Sequence, residues 1–119
     1  MATSNKARQL LYTSYIRRVR AEEVRAGREE TRTLIHELRP GFCSLVDLTQ
    51  FESMDADAVP ELTKIMDLLA ESGVGTVVRV IPDPSKDIGL KILSMFHYPR
   101  ELKVFTCESM AEAAKYLEP

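Results

Sequence analysis

The sequence predicts an α/β fold, with a mainly parallel or mixed sheet of about four strands and about four helices. Two observations carry this prediction. Short apolar or β-branched runs, typical of strands, alternate with longer segments whose apolar residues recur at helical spacing. The resulting order, β-α-β-α-β-α-β-α, is typical of strands joined by helical crossovers. At 119 residues the chain is expected to form one domain, with a flexible tail over residues 1–8.

The first half of the chain supplies two strands and a helix. Residues 9–19, QLLYTSYIRRV, are rich in β-branched and aromatic side chains and predict the first strand. Residues 20–38 carry an apolar helical stripe opposite arginines and glutamates, and RPG at 39–41 ends the predicted helix. Residues 42–48, FCSLVDL, form a nearly continuous apolar run, as expected for a strand buried on both faces.

The second half continues the alternation. Its predicted elements are a helix at 58–72, a strand at 74–81, a helix at 83–98, a strand at 101–107 and a helix at 108–119. Gly73 ends the first of these helices, and Asp83 followed by Pro84 begins the next. Ser109 and Glu112 form a capping-box pattern at the start of the last helix.

Composition excludes several classes of protein. Apolar residues make up 45% of the chain and charged residues 29%, and no apolar run approaches the roughly 20 residues that span a bilayer. A cytoplasmic protein that does not bind membranes is therefore expected. Cys43 and Cys107 are too few and too far apart for a disulfide framework, so both are expected to be reduced. A net charge of -2 argues against general nucleic-acid binding.

The charge is unevenly distributed along the chain. Residues 1–39 contain nine basic and five acidic residues, a net charge of +4, whereas residues 40–119 contain seven and thirteen, a net charge of -6. The arginines of the first segment are Arg17, Arg18, Arg20, Arg25, Arg28 and Arg32, besides Arg8 and Arg39. This pattern favours a solvated helix face. The alternatives are attraction of an acidic partner and pairing of two chains into a homodimer.

No catalytic residue, metal site or cofactor is predicted. The sequence contains no GxSxG elbow, Gly-rich phosphate loop or dinucleotide fingerprint, and His36 and His97 lack the Cys/His spacing of a zinc site. Aspartates that could hold Mg²⁺ near the strand ends are Asp47, Asp55, Asp57, Asp83 and Asp87. Asp57 and Asp83 are better placed as helix caps, so a non-enzymatic function is expected.

The run from LVDLTQFESMDADAVPEL to VVRVIPDPSKDIGLKILSMFHYPRELKVFTCESMAEAAKYL resembles STAS domains, the SpoIIAA-like fold of bacterial anti-sigma factor antagonists. The resemblance covers roughly residues 42 to 117. It rests on a strand ending in VDL, a Met-Asp turn that starts a helix, the strand VVRVI, and a last strand leading into a C-terminal helix. It implies a regulatory module whose protein partner is an anti-sigma factor or another regulator.

The resemblance also marks a departure at the regulatory turn. In the antagonists this turn reads Met-Asp-Ser-Ser-Gly, and phosphorylation of the second serine by the partner kinase switches off binding. Met54 and Asp55 match, but Ala56, Asp57 and Ala58 replace the two serines and the glycine. Asp57 thus brings a permanent charge, which suits constitutive binding or mimics the unbound state. The predicted partner-binding turn comprises Asp47, Thr49, Ser53, Met54, Asp55, Ala56, Asp57 and Ala58, with Thr49 or Ser53 as alternative phosphorylation sites.

The alternative function is binding of a small molecule, because relatives with this fold have been suggested to hold lipids or nucleotides. Arg79 interrupts an otherwise apolar strand, and a buried arginine would need an acidic partner. The predicted ligand or anion site comprises Arg79, Asp83, Ser85 and Lys86. The competing interpretation places Arg79 at a sheet edge with its guanidinium in water.

Overall fold

The computed structural model describes residues 1–81 and 102–117. Its strands are β1 Ala2–Asn5, β2 Leu10–Ser14, β3 Arg17–Val19, β4 Cys43–Asp47, β5 Phe51–Met54, β6 Thr76–Val80 and β7 Lys103–Cys107. Its helices are α1 Ala21–Ile35, α2 Ala58–Glu71 and α3 Met110–Leu117. The predicted α/β class is confirmed. The helix predicted at 83–98 lies outside the described residues.

The main sheet has five strands in the order β1-β2-β4-β6-β7. Strands β2, β4, β6 and β7 run parallel, and β1 pairs antiparallel with β2, so the sheet is mixed. One row of paired residues crosses the parallel strands through Thr13, Val46, Arg79 and Thr106. Because successive side chains of a strand point to opposite faces, the residues next to this row face the other side of the sheet.

Each face of the sheet carries its own hydrophobic cluster. On one face α1 and α2 pack together, and Val24 and Leu62 from these helices join Leu11 and Val77 from the strands. On the other face Ala113 of α3 packs among strand residues of the main sheet, namely Leu45, Val78, Val80 and Cys107. Helices on both faces explain why the strands read as nearly continuous apolar runs. No helix within residues 1–81 and 102–117 is long and apolar enough to cross a membrane.

The N-terminal strand differs from the prediction in two ways. The single strand expected at 9–19 is two strands, β2 and β3, and the chain changes direction at Arg17, whose φ is 58°. Whereas β2 pairs with β4, β3 pairs with β5 in a separate parallel ribbon. Residues 1–8, predicted to form a tail, contain β1, which pairs with β2 from Ala2 to Asn5.

Two predicted helix boundaries are confirmed. At the end of α2, Gly73 has a φ of +86°, its N–H donates to Ala70 O, and the N–H of Val74 donates to Leu69 O. These bonds form a Schellman motif, which favours glycine. At the start of α3, the N–H of Glu112 donates to Ser109 Oγ at 3.1 Å, as the capping-box pattern predicts.

Candidate functional site

The segment Met54–Ala58, MDADA, links β5 to α2, and we call it the acidic turn. Its backbone is tied down at both ends. The N–H of Asp55 donates to Val19 O at 2.9 Å, and the N–H of Ala58 donates to Asp55 O at 2.9 Å. Ala58 is fully buried, so the turn is also anchored to the core at the start of α2. The resulting turn has a fixed path against β3.

Arg18 holds the Asp55 side chain. Its Nε donates to Asp55 Oδ1 at 2.7 Å, and its Nη2 donates to Oδ2 at 3.2 Å. This two-point geometry fixes the orientation of a carboxylate better than a lysine would. The hydrogen bonds from Arg18 lower the pKa of Asp55, so its carboxylate stays ionised at neutral pH. Arg18 therefore compensates the charge of one of the two aspartates in the turn.

Asp57 remains exposed at the tip of the acidic turn. It occupies the residue before α2, as predicted, but its backbone is helical and its side chain makes no cap hydrogen bond to the described helix. The predicted capping role is therefore wrong: a cap side chain reaches the helix N–H groups from an extended backbone, and φ -75°, ψ -12° does not provide one. Val59, the second residue of α2, is an exposed apolar neighbour.

The remaining residues of the predicted partner-binding turn fall into two places. Ser53 is exposed on β5, paired in register with Arg18 of β3. Thr49 is exposed too, and its hydroxyl donates to Asp47 Oδ1 at 2.7 Å. Asp47 lies at the end of β4, where Tyr12 also binds it. Asp47 and Asp55 thus have separate partners, and no group of three potential metal ligands occurs in the described ranges.

A second ion-pair cluster joins α1 to α2 around Glu61, whose side chain is only 12% exposed. Arg25 Nε and Arg28 Nη1 each lie 3.4 Å from a Glu61 oxygen, and Lys64 Nζ lies 3.3 Å away. Burial raises the pKa of Glu61, but hydrogen bonds from Lys64 and Arg25 outweigh it and the net shift is downward. The basic first segment and the acidic second segment therefore complement each other within one chain.

Arg79 is buried in a central strand. Arg79 belongs to β6, which lies between β4 and β7, and the residue is only 6% exposed. The interpretation that places Arg79 at a sheet edge with its guanidinium in water is therefore wrong. Nη2 donates to Thr106 Oγ1 at 2.9 Å. Asp83, Ser85 and Lys86, the other members of the predicted ligand site, lie outside the described residues.

Arg79 also borders a cavity of about 50 Å³ between the sheet and the two helices α1 and α2. Its other walls are mostly apolar, and they include Leu11, Met54, Leu62 and Met66. Ser44 adds a polar group: it is fully buried, and its Oγ has no hydrogen-bond partner within the described part of the chain. A buried hydroxyl without a hydrogen bond lowers the stability of the fold, and a bound ligand that supplies the hydrogen bond would remove this loss.

Sequence reasoning missed two residues that organise these places. Arg18 was recognised only as part of an arginine-rich segment, and Tyr12 only as a strand residue, although each binds an aspartate more than 30 residues away. Their charge and hydroxyl were visible in the sequence. Their pairing was not, because it depends on which strands become neighbours.

No protein-family model matches the sequence, and no curated protein does. Two solved structures are similar. One is an uncharacterized protein of the DUF3478 family with a SpoIIAA-like fold from Shewanella loihica PV-4, with a TM-score of 0.72 and 11% identity over 92% of this chain and 84% of that chain. The other is the anti-sigma factor antagonist SpoIIAA in its unphosphorylated form, with a TM-score of 0.65 and 13% identity over 98% of this chain and 94% of that chain. This chain therefore has the SpoIIAA-like fold that its sequence predicts.

Proposed function

We propose that the chain is a non-enzymatic regulatory module that binds a protein partner constitutively through the acidic turn and the first turn of α2. The observation that carries the proposal is the turn itself. Arg18 and the backbone of β3 hold it in one conformation while Asp57 and Val59 stay exposed. A surface fixed before binding loses little conformational freedom when a partner docks.

The exposed groups of this surface suit a partner with both apolar and basic character. Val59 offers an apolar contact, and Asp57 adds a negative charge that Arg18 does not bind directly. The similarity to an anti-sigma factor antagonist favours an anti-sigma factor, or another regulator, as the partner class. Asp57 replaces the switch serine of the resembling family, so a kinase cannot turn binding off at this position.

Affinity capture with matched baits tests the proposal. The wild-type chain, Asp57→Arg and Glu71→Arg serve as baits in an extract of the native cell. Both substitutions reverse one charge at an exposed position, at opposite ends of α2. A partner retained by the wild type and by Glu71→Arg, but lost with Asp57→Arg, supports docking at the acidic turn. Equal capture by all three baits, or capture by none, counts against it.

Regulation at another residue has its own test. Thr49, beside Asp47, and Ser53, next to the acidic turn, are both exposed hydroxyl residues. The chain is incubated with kinases of the same cell, and its intact mass is then measured and the site mapped. An unchanged mass supports constitutive binding. Phosphate on Thr49 or Ser53 would show that the switch had moved to a neighbouring residue.

The cavity beside Arg79 favours a second candidate function, binding of a small ligand. A space of about 50 Å³ holds a few water-sized groups, since one water needs roughly 10–15 Å³ by this measure. A nucleotide is far too large for it in this conformation. A thin apolar chain with a polar end suits it better, because Met54 and Met66 are flexible wall residues and Ser44 and Arg79 supply polar groups.

Thermal denaturation with straight-chain carboxylates and alcohols tests this candidate. A ligand at a hundredfold excess over its Kd stabilises the folded chain by about 2.7 kcal/mol. Ser44→Val should fill part of the cavity and remove the response, whereas Asp57→Arg should leave the response unchanged. If no member of the series raises the melting temperature of the wild type, the ligand function is excluded.

A further inference from the structure

A pocket at the carboxyl ends of β2 and β4 has no role in the proposed function. Its volume is about 160 Å³, and residues that line it are Met1, Tyr12, Ser14, Ile16, Asp47 and Gln50. Tyr12 and Asp47 alternate along their strands with Thr13 and Val46, which border the cavity beside Arg79. Alternate strand residues face opposite sides of a sheet, so the two spaces lie on opposite faces. We call the larger one the Asp47 pocket.

The Asp47 carboxylate is held in one orientation by three donors. Tyr12 OH donates to Oδ2 at 2.6 Å, and Thr49 donates to Oδ1 through its N–H at 2.9 Å and its hydroxyl at 2.7 Å. Each carboxylate oxygen accepts about two hydrogen bonds, so Oδ1 is saturated and Oδ2 keeps one acceptor position. The phenol of Tyr12 uses its only proton on Asp47, and its oxygen also has the Ser14 hydroxyl as a hydrogen-bond partner.

The charge of the pocket follows from these bonds. Partial burial raises the pKa of Asp47, but the hydrogen bonds from Tyr12 and Thr49 outweigh it, and the pKa lies below its ordinary value. The hydrogen bond to Asp47 raises the pKa of Tyr12, so the phenol stays protonated. At neutral pH Asp47 therefore presents one fixed negative charge to the pocket, while the ammonium of Met1, which also lines the pocket, donates to Ser14 O at 3.1 Å rather than to this carboxylate.

We propose that the Asp47 pocket binds an organic cation, an ammonium or guanidinium group on a short aliphatic stem. Asp47 Oδ2 and the Gln50 side-chain carbonyl can accept its hydrogen bonds, and Ile16, 47% exposed, supplies an apolar wall for the stem. The volume fits, because a cavity of about 150 Å³ holds a six-atom ring such as benzene. A divalent metal suits the pocket poorly, since it needs more oxygen ligands than one half-occupied carboxylate provides.

Two sources can supply this chemistry: a free aliphatic amine, and a lysine or arginine side chain of a peptide. Agmatine represents the first source, and N-acetyl-arginine methylamide represents the second. N-acetyl-citrulline methylamide is the matched control, since it keeps the stem and replaces the charged guanidinium by a neutral urea. Each probe is titrated into the ¹⁵N-labelled chain, and the amide signals of Ile16, Thr49 and Gln50 are followed.

We expect saturable shifts of these three signals with at least one cationic probe, and none with the citrulline probe. The tighter of the two cations identifies the source. Asp47→Asn should weaken binding about tenfold or more, because it removes a charge-assisted hydrogen bond. Asp57→Asn removes the same charge from the acidic turn and should bind as the wild type does. Its behaviour separates a failure of this proposal from a failure of the partner-binding proposal.

Gln50→Lys keeps the test decisive if Asp47→Asn does not fold. Residue 50 is exposed, so the substitution leaves the core intact and places a competing ammonium beside the carboxylate. It should abolish the shifts. Equal binding by Gln50→Lys and the wild type, equal shifts with citrulline and arginine probes, or no shift with either cation would overturn the proposal.

Discussion

Arg18 of β3 and Asp55 of the acidic turn are joined by two hydrogen bonds, of 2.7 and 3.2 Å. Both side chains reach solvent, so the pair contributes little to global stability. Its effect is local: it holds the turn against β3, and Arg18 hydrogen-bonds Asp55 rather than Asp57, whose charge acts on this arginine only at longer range. Because Arg18 pairs with Asp55, Asp57 is the negative charge of the turn that is exposed to a partner.

The first prediction concerns this pair. Arg18→Ala and Asp55→Asn should each speed hydrogen exchange at the amides of Asp55 and Ala58, because the carboxylate no longer anchors the turn. The melting temperature should change little. Arg32→Ala, which removes another exposed arginine from α1, is the control and should leave both amides unchanged. The exchanged pair Arg18→Asp with Asp55→Arg should restore protection in part, and identical exchange in all variants would contradict the role of the pair.

The second prediction concerns acid stability. The pKa of Asp47 is lower in the folded chain than its ordinary value of 3.8, so its contribution to folding is fully present above that value. It is lost as the pH falls through the lowered pKa of the folded state. Urea denaturation should therefore show Asp47→Asn less stable than the wild type at neutral pH, with the difference shrinking below about pH 4.

Tyr12→Phe separates the hydrogen bond from the charge in this experiment. It removes the 2.6 Å bond to Asp47 while keeping the ring and the carboxylate. Its stability difference from the wild type should also decrease in acid, and it should be smaller than that of Asp47→Asn because Thr49 still binds the carboxylate. A difference that stays constant with pH in both variants would exclude Asp47 as the titrating group.

The third prediction concerns two glycines with opposite surroundings. A Cβ on Gly75 would lie 2.8 Å from Gly41 O, a backbone atom that cannot easily move. Gly75→Ala should therefore destabilise the fold by about 1–3 kcal/mol. Gly27, inside α1, has no described atom within 4 Å of the added carbon. Gly27→Ala should stabilise it by about 0.5–1 kcal/mol, since alanine favours the helix. Urea unfolding of both variants checks the two signs.

The fourth prediction concerns helix starts. Ser109 Oγ accepts the N–H of Glu112, so Ser109→Ala should cost about 0.5–2 kcal/mol. Asp57 occupies the same position before α2 but makes no side-chain cap hydrogen bond to the described helix, so Asp57→Ala should cost clearly less. Chemical denaturation of the two alanine variants compares them directly. An equal loss in both would indicate that Asp57 caps α2 in solution.

Sequence periodicity predicted the elements whose signals are local. The apolar run at 42–48, the stripe of α2 and the capping residues of α3 each reflect neighbours within one element, and each appears where predicted. The break between β2 and β3 has no such signal. No glycine or proline marks it, and Arg17 adopts a positive φ because β3 pairs with β5 rather than continuing beside β4.

The candidate site was predictable only in part. Asp55 and Asp57 were located correctly in a turn before α2, because the helix pattern follows them, but the strand β5 that precedes them was not predicted. Their environments differ because Arg18 binds Asp55, which is 37 residues away along the chain. Sequence spacing does not predict this contact. The burial of Arg79 likewise follows from the strand order. Without β7, β6 would be the edge of the sheet, and the pairing of β7 with β6 makes β6 a central strand.

Strand β1 has a consequence for how the chain tolerates truncation. It pairs in register with four of the five residues of β2, from Leu10 to Thr13. Without residues 1–5, β2 would become an open edge whose unpaired N–H and C=O groups can recruit a second copy. A shortened chain should then form edge-to-edge aggregates on concentration, which makes these few residues a guard against aggregation and the wrong place for a purification tag.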